Sequence, residues 1–274
     1  MNEKNSIKRN ERSKLVGIIS IHYGVNFGSS LQAYALSSFI AERYSFKTEI
    51  INYIPVRYRF SRLYKISAND GPKKIAHKLV GNIRHYMNDR KYKKFLSKKA
   101  NVSPVIFDHK EAKERYKNYD YLIAGSDQIW NSDYNEGVDP MYYLSFASKK
   151  TRKIAYAASA GKTEFSKDEW EIQRNLLKDF HKLSYREINM LELMESHGIM
   201  GGQLVLDPTY LLSANDWSKL KRRPKGCPSK YLLMYFLDTD SQEIIDCARN
   251  IAELKGLKTV LIFNGRKGKI KPIL

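Results

Sequence analysis

Three short segments of this 274-residue chain carry side chains suited to chemistry. Gly125-Ser126-Asp127-Gln128-Ile129-Trp130-Asn131 sets a hydroxyl, a carboxylate, an amide and an indole side by side. That mix suits a polyhydroxylated ligand, with acceptors for hydroxyls and an apolar face for a sugar ring. Asp127 is also a carboxylate able to take a proton from an attacking hydroxyl. The same residues equally suit an Asx turn at Asp127 with Trp130 packed in the core. Ser184-Tyr185-Arg186-Glu187 offers a guanidinium that either binds carboxylate or phosphate through two parallel N–H bonds or pairs with Glu187 at the surface. In Tyr23-Gly24-Val25-Asn26-Phe27-Gly28-Ser29-Ser30-Leu31-Gln32, a turn leads into a helical pattern, and a helix N-terminus presents free N–H groups to an anion. Its spacing is not G-x-G-x-x-G, and Gly265-Arg266-Lys267-Gly268-Lys269 lacks Walker A spacing. His22 beside the first loop reads as structural, as does the turn Asp207-Pro208-Thr209. No Cys/His group has zinc-ligand spacing, and no Gly-x-Ser-x-Gly elbow occurs.

These segments need a scaffold that brings them to one place. The apolar run 15–21 reads as a buried strand. A helix follows after Ser29 or Ser30, with Leu31, Tyr34, Ala35, Ser38 and Phe39 on one face, and 47–53 reads as a second strand. Strand, glycine loop, helix, strand is the opening of a parallel α/β sheet, in which ligands bind at the carboxyl ends of the strands. Further strands are predicted over 119–124, 153–158, 182–185 and 204–206, and helices from Trp170 to Phe180 and from Glu187 to about His197, with Gly198 as a stop. A linker rich in charge, Pro and Gly spans 221–229. Beyond it a strand–helix–strand unit occupies 231–237, 241–255 and 257–263. The organisation is therefore a basic tail (1–14), a Rossmann-like domain (15–222) with an inserted basic helical region (57–118), and the start of a second Rossmann-like domain (229–274).

Composition narrows the class. With 42% hydrophobic and 12% aromatic residues the chain folds, and two cysteines, Cys227 and Cys247, are too few for a disulfide framework. No apolar run is long enough to span a bilayer, so a cytoplasmic protein is expected. The formal charge is +19, of which +13 lies in 57–118, where 18 Lys and Arg face five acidic residues. There Ile75, Leu79, Ile83 and Tyr86 or Met87 form a stripe at helical spacing, which Phe95 and Leu96 continue less regularly. Such a stripe is expected to pack on a domain core; the alternative is an amphipathic helix lying on an anionic membrane. Nucleic acid is the least favoured partner, because no reading module accompanies the charge.

Taken in order, the motifs closely resemble the polysaccharide pyruvyl transferase family. The resemblance is carried by Tyr23-Gly24-Val25-Asn26-Phe27-Gly28 with Leu31-Gln32-Ala33-Tyr34-Ala35-Leu36, by Ile51-Asn52-Tyr53, and by Gly125 to Asn131. It continues through Ala155-Tyr156-Ala157-Ala158-Ser159, Ser184-Tyr185-Arg186-Glu187 and Val205-Leu206-Asp207-Pro208-Thr209, with Asp216-Trp217. It implies two Rossmann-like domains in a GT-B-like arrangement. It also implies transfer of a pyruvyl group from phosphoenolpyruvate, as donor substrate with no cofactor, to a sugar of a glycan precursor that is lipid- or nucleotide-linked, giving a pyruvate ketal. On this reading Asp127 and Arg186 are catalytic, with Arg186 as the cation for the donor. Tyr23, Asn26, Gly28, Gln32, Gly125, Ser126, Gln128, Trp130 and Glu187 bind substrate, and no metal is expected. The family's Ser-Phe-His-Gly-Thr-like segment has no counterpart here. A shortened second domain is therefore expected, with a non-catalytic remnant retaining only acceptor binding as the alternative function.

Overall fold

Leu15–Ile19, an apolar β-branched segment, forms β1, an interior strand of a parallel sheet. The computed structural model describes residues 12–23, 26–55, 67, 70–236, 242–263 and 272–273. It divides into two units, Met1–Ser213 and Ala214–Leu274. The first holds a sheet of five strands in the order β2-β1-β3-β4-β5, with β2 at Lys47–Ile50, β3 at Tyr121–Ala124, β4 at Arg152–Ala155 and β5 at Phe180–Lys182. Every neighbouring pair is parallel. Past the carboxyl ends of β3 and β4, single bridges join Asp127 to Ala158 and Ala158 to Tyr185. Tyr185 lies in β6 (Ser184–Tyr185), which pairs in parallel with β7 (Gln203–Leu204).

The sheet is apolar on both faces, as a parallel sheet covered on both sides must be. Val16, Ile18 and Ile123 face one cluster with Leu36 and Ile40 of helix α1 (Phe27–Tyr44). Ile19, Leu122, Ala124 and Ala155 face a larger cluster with Trp130, Tyr142, Tyr143, Trp170, Met190 and Met194. Trp170 belongs to α5 (Lys167–Leu177), and the two methionines to α6 (Ile188–Ser196). Short helices α3 (His109–Tyr116) and α4 (Ser132–Asn135) complete the covering.

Two local expectations are corrected. Helix α1 begins at Phe27, not after Ser29 or Ser30, because Asn26 is its N-cap: Asn26 Oδ1 accepts from the Ser29 amide. Phe180, expected to end a helix, opens β5 instead.

Besides α3, the basic region contributes a 28-residue helix, α2 (Pro72–Lys99), opened by Pro72 and held at its C-terminal half against α1. Phe27 meets Tyr92 at 5.1 Å between ring centroids, and Tyr34 meets Phe95 at 5.8 Å. Only the end of the expected apolar stripe packs on the core, through Phe95 and Leu96. Leu79, Ile83 and Met87 are 47%, 60% and 59% exposed. The side chain of Tyr86, and residues 57–66, lie outside the described set.

The second unit contains α7 (Ala214–Ser218) and a β–α–β crossover, β8 (Tyr231–Phe236), α8 (Gln242–Leu254) and β9 (Lys258–Phe263). The strands β8 and β9 pair in parallel, and β10 (Pro272–Ile273) adds to β9 antiparallel. Ile245, Ala248 and Ala252, at helical spacing, are the buried residues of α8. No described helix is long and apolar enough to cross a membrane.

Candidate active site

The chain leaves β1 through α1 to β2 on one side, whereas β3 lies on the other, so the connections after β1 and β3 diverge. In a sheet of order 2-1-3-4-5 this divergence is the topological switch point, where ligands bind beyond the strand ends. Both motif loops begin there. Gly125 allows the close approach: its amide donates to Ile19 O at 2.7 Å, and a Cβ would sit 3.2 Å from Ser20 Cβ and 3.3 Å from Ile19 O.

Asp127 is the meeting point. Its Oδ2 accepts from Ser29 Oγ at 2.8 Å, and its Oδ1 from the Gln128 amide at 2.9 Å. The backbone holds φ at +84°, left-handed for a residue with a side chain. Such conformations cost about 1–3 kcal/mol and collect at functional sites. Beneath it lies a buried clamp. Ser20 Oγ donates to Ser126 O at 2.7 Å, and Gln32 Nε2 reaches Ser20 Oγ (2.7 Å), Ser29 O (3.0 Å) and Ile21 O (3.2 Å). Gln32 therefore locks the end of β1 to the first turn of α1.

Arg186 follows β6 and is carried toward the same loop by the bridge of Ala158 to Tyr185. Its Nε donates to Glu187 Oε1 at 2.9 Å, and its Nη1 to Asp207 Oδ2 at 3.3 Å and Ser126 Oγ at 3.4 Å. Its Nη2 has no hydrogen-bond partner among the described residues. Burial opposes the guanidinium charge, but Glu187, Asp127 and Asp207 outweigh it and raise the Arg186 pKa. Asp207, which reads from sequence as a turn residue, thus has two roles: Oδ1 caps Thr209 at 2.9 Å while Oδ2 faces Arg186 and Ser126. Burial, and then the Asp207 charge, push the nearby Tyr156 phenol upward.

The structure thus brings Asp127, Ser126, Arg186 and Glu187 into one cluster with Ser29 and Asp207. Asn26 and Gly28 lie at its rim on the exposed entrance to α1. Gly24 and Val25 lie outside the described residues. Gln128 packs against Gly161, where a Cβ would be 2.5 Å from its side chain, and its Oε1 accepts from Asn131 Nδ2 at 2.9 Å.

Two expectations for ring-bearing residues are corrected. Trp130 is 2% exposed, stacks on Tyr143 with centroids 5.1 Å apart, and donates its indole N–H to Tyr142 O at 3.1 Å. It offers no face to a sugar. Tyr23 is buried as well, its hydroxyl 3.1 Å from that of Tyr142. His22 is held between Ser20 O and Asn52 Oδ1, the structural role read from the sequence. Among the described residues no group of three His, Cys, Asp or Glu side chains is placed to hold a metal ion.

A search of curated proteins gives no match. The family model for polysaccharide pyruvyl transferase matches residues 26–273. That span begins at the N-cap of α1 and takes in Ser29, the Asp127 loop, Arg186 and Asp207, so the residues gathered at the switch point all lie within it. With the match extending over nearly the whole sequence, the chain belongs to the polysaccharide pyruvyl transferase family.

Proposed function

We propose that the protein transfers a pyruvyl group from phosphoenolpyruvate to two hydroxyls of one sugar in a lipid- or nucleotide-linked glycan precursor. The reaction forms two C–O bonds at C2 of the donor and breaks its bond to phosphate. One hydroxyl proton is balanced by protonation of the donor's methylene carbon, and the other leaves with phosphate. The observation that carries this reading is the placement of Asp127 at the switch point, tied to Ser29 at 2.8 Å and beside the Arg186 guanidinium.

In this reading Asp127 takes the proton from the attacking hydroxyl. Each of its oxygens already accepts one hydrogen bond and keeps lone-pair capacity for another. Ser29 and the left-handed backbone fix its direction, which supplies the orientation that general base catalysis needs. Arg186, with Nε and Nη1 engaged, offers Nη2 to the donor's carboxylate or phosphate. The first turn of α1 contains no acidic residue, so its N-terminal field favours an anion there. Glu187 supplies a hydrogen-bonding carboxylate beside the guanidinium, while the fully buried Ser126 supports Asp207 and Arg186 from beneath.

The test is release of inorganic phosphate from phosphoenolpyruvate by the full chain, with and without a panel of nucleotide- and lipid-linked sugars. Acceptor-dependent release that is lost in Asp127→Asn supports the reading. Acceptor-dependent release that Asp127→Asn leaves intact removes Asp127 from the chemistry, and no release with any acceptor counts against the reaction.

A further inference from the structure

On helix α2, residues 76, 80, 83, 87, 91, 94 and 98 recur at spacings of three and four and so share one face. They read Ala, Val, Ile, Met, Lys, Lys, Lys, with Leu79 flanking, and all are exposed. Leu79, Val80, Ile83 and Met87 are 47%, 56%, 60% and 59% exposed. The opposite face is the one that packs. Leu96 is buried in a cluster with Ala33 and Ile50, joined by Phe95, and Tyr92 meets Phe27. The helix is thus anchored to α1 through its C-terminal half, with an apolar patch and a cationic patch turned to solvent along one line.

We propose that this face of α2 docks on an anionic lipid bilayer. Over residues 72–99 the helix carries ten Lys and Arg and one acidic residue, Asp89. A lipid surface satisfies both halves of the face: apolar side chains enter the acyl boundary while lysines stay among anionic headgroups. A second copy of the helix would bring ten cations against ten. Nucleic acid would engage the lysines but gain nothing from Leu79, Val80, Ile83 and Met87. The docking surface stands on α2 alone, and its test reads no turnover, so it fails or holds independently of the proposed reaction.

The experiment is flotation of the full chain with vesicles of phosphatidylcholine alone or mixed with phosphatidylglycerol. The wild type is expected to float only with the anionic vesicles and to be released by salt. Ile83→Ser with Met87→Ser keeps every lysine and, by removing two insertable side chains, is expected to weaken partitioning by about tenfold or more. Lys91→Glu with Lys94→Glu and Lys98→Glu should abolish it. As a direct probe, the added indole of Ile83→Trp should shift its emission to the blue on anionic vesicles. The proposal is overturned by no flotation with anionic vesicles at low salt, or by equal flotation of the serine variant. It is also overturned by a lipid-free wild-type dimer that the serine variant breaks, or by DNA binding through these lysines without vesicle binding.

Discussion

Ser29 and Asp127 lie 98 positions apart in the chain, yet their side chains meet at 2.8 Å, joining the first turn of α1 to the loop after β3. This contact spans the switch point of the sheet and sets the direction of the carboxylate on which the proposed chemistry depends. Ser29→Ala removes the donor while α1 keeps its Asn26 cap. It is expected to lower turnover about tenfold or more through misplacement of Asp127, with a stability loss of about 1 kcal/mol. Steady-state phosphate release beside denaturant unfolding checks both parts.

Asp207 should act through Arg186. Asp207→Asn retains a side-chain oxygen that can cap Thr209 but loses the ionic partner of Nη1. The expected outcome is a raised KM for phosphoenolpyruvate with a smaller change in kcat and a near-normal melting temperature. Asp207→Ala should add a stability loss of about 1–2 kcal/mol from the missing cap. Equal effects of both variants on stability, with KM unchanged, would reduce Asp207 to a turn residue.

Trp130 illustrates how much of the site was legible in the sequence. The motif placed a strand end, a carboxylate and an indole together, and the structure gathers the strand end and carboxylate at the switch point. The indole faces the core, where it stacks on Tyr143 and donates to Tyr142 O, while Asp127 and Gln128 are only half-buried. Trp130→Phe keeps the ring but strands Tyr142 O, so it should cost about 1–3 kcal/mol while leaving acceptor KM unchanged. A raised acceptor KM at unchanged stability would restore the sugar-platform role.

Other parts were hidden for a shared reason. A parallel sheet was foreshadowed by the strand–loop–helix–strand pattern, but its strand order and register were not. Asp207 reaches Arg186 only because β6 and β7 pair Tyr185 with Leu204, and a local reading of Asp-Pro-Thr yields nothing but its cap. The α2 stripe was legible as a helix period. Its exposure was not, because periodicity fixes which residues share a face and not what covers that face.

Stability should fall at both ends of the pH scale. Burial opposes ionisation of Asp120, yet the Leu15 amide, Lys14 and Arg12 hold its pKa below the usual range. Glu169 is likewise lowered despite burial, by Ser132, the Ser166 cap and Lys162. Groups depressed in the fold stabilise above their unfolded values, near pH 4, and that contribution is lost as pH drops through the folded values. At the other end burial, with the Glu49 charge, raises Tyr119 to about 12. Its contribution is intact below about pH 10 and is lost as pH rises toward the folded value. Denaturant unfolding across pH should show a plateau between these limits. Tyr119→Phe should make the alkaline fall shallower; an unchanged alkaline limb would contradict the assignment.

The central claim is that Asp127 at the switch point serves a pyruvyl transfer. The most direct measurement is acceptor-dependent phosphate release from phosphoenolpyruvate by the wild type and by Asp127→Asn, with the fold of each verified by unfolding. Asn tolerates the left-handed backbone and preserves the shape of the side chain, so the variant isolates the proton-accepting oxygen. The account predicts a loss of about 100-fold or more in kcat at nearly unchanged stability. Wild-type rates in a well-folded Asp127→Asn variant would contradict it.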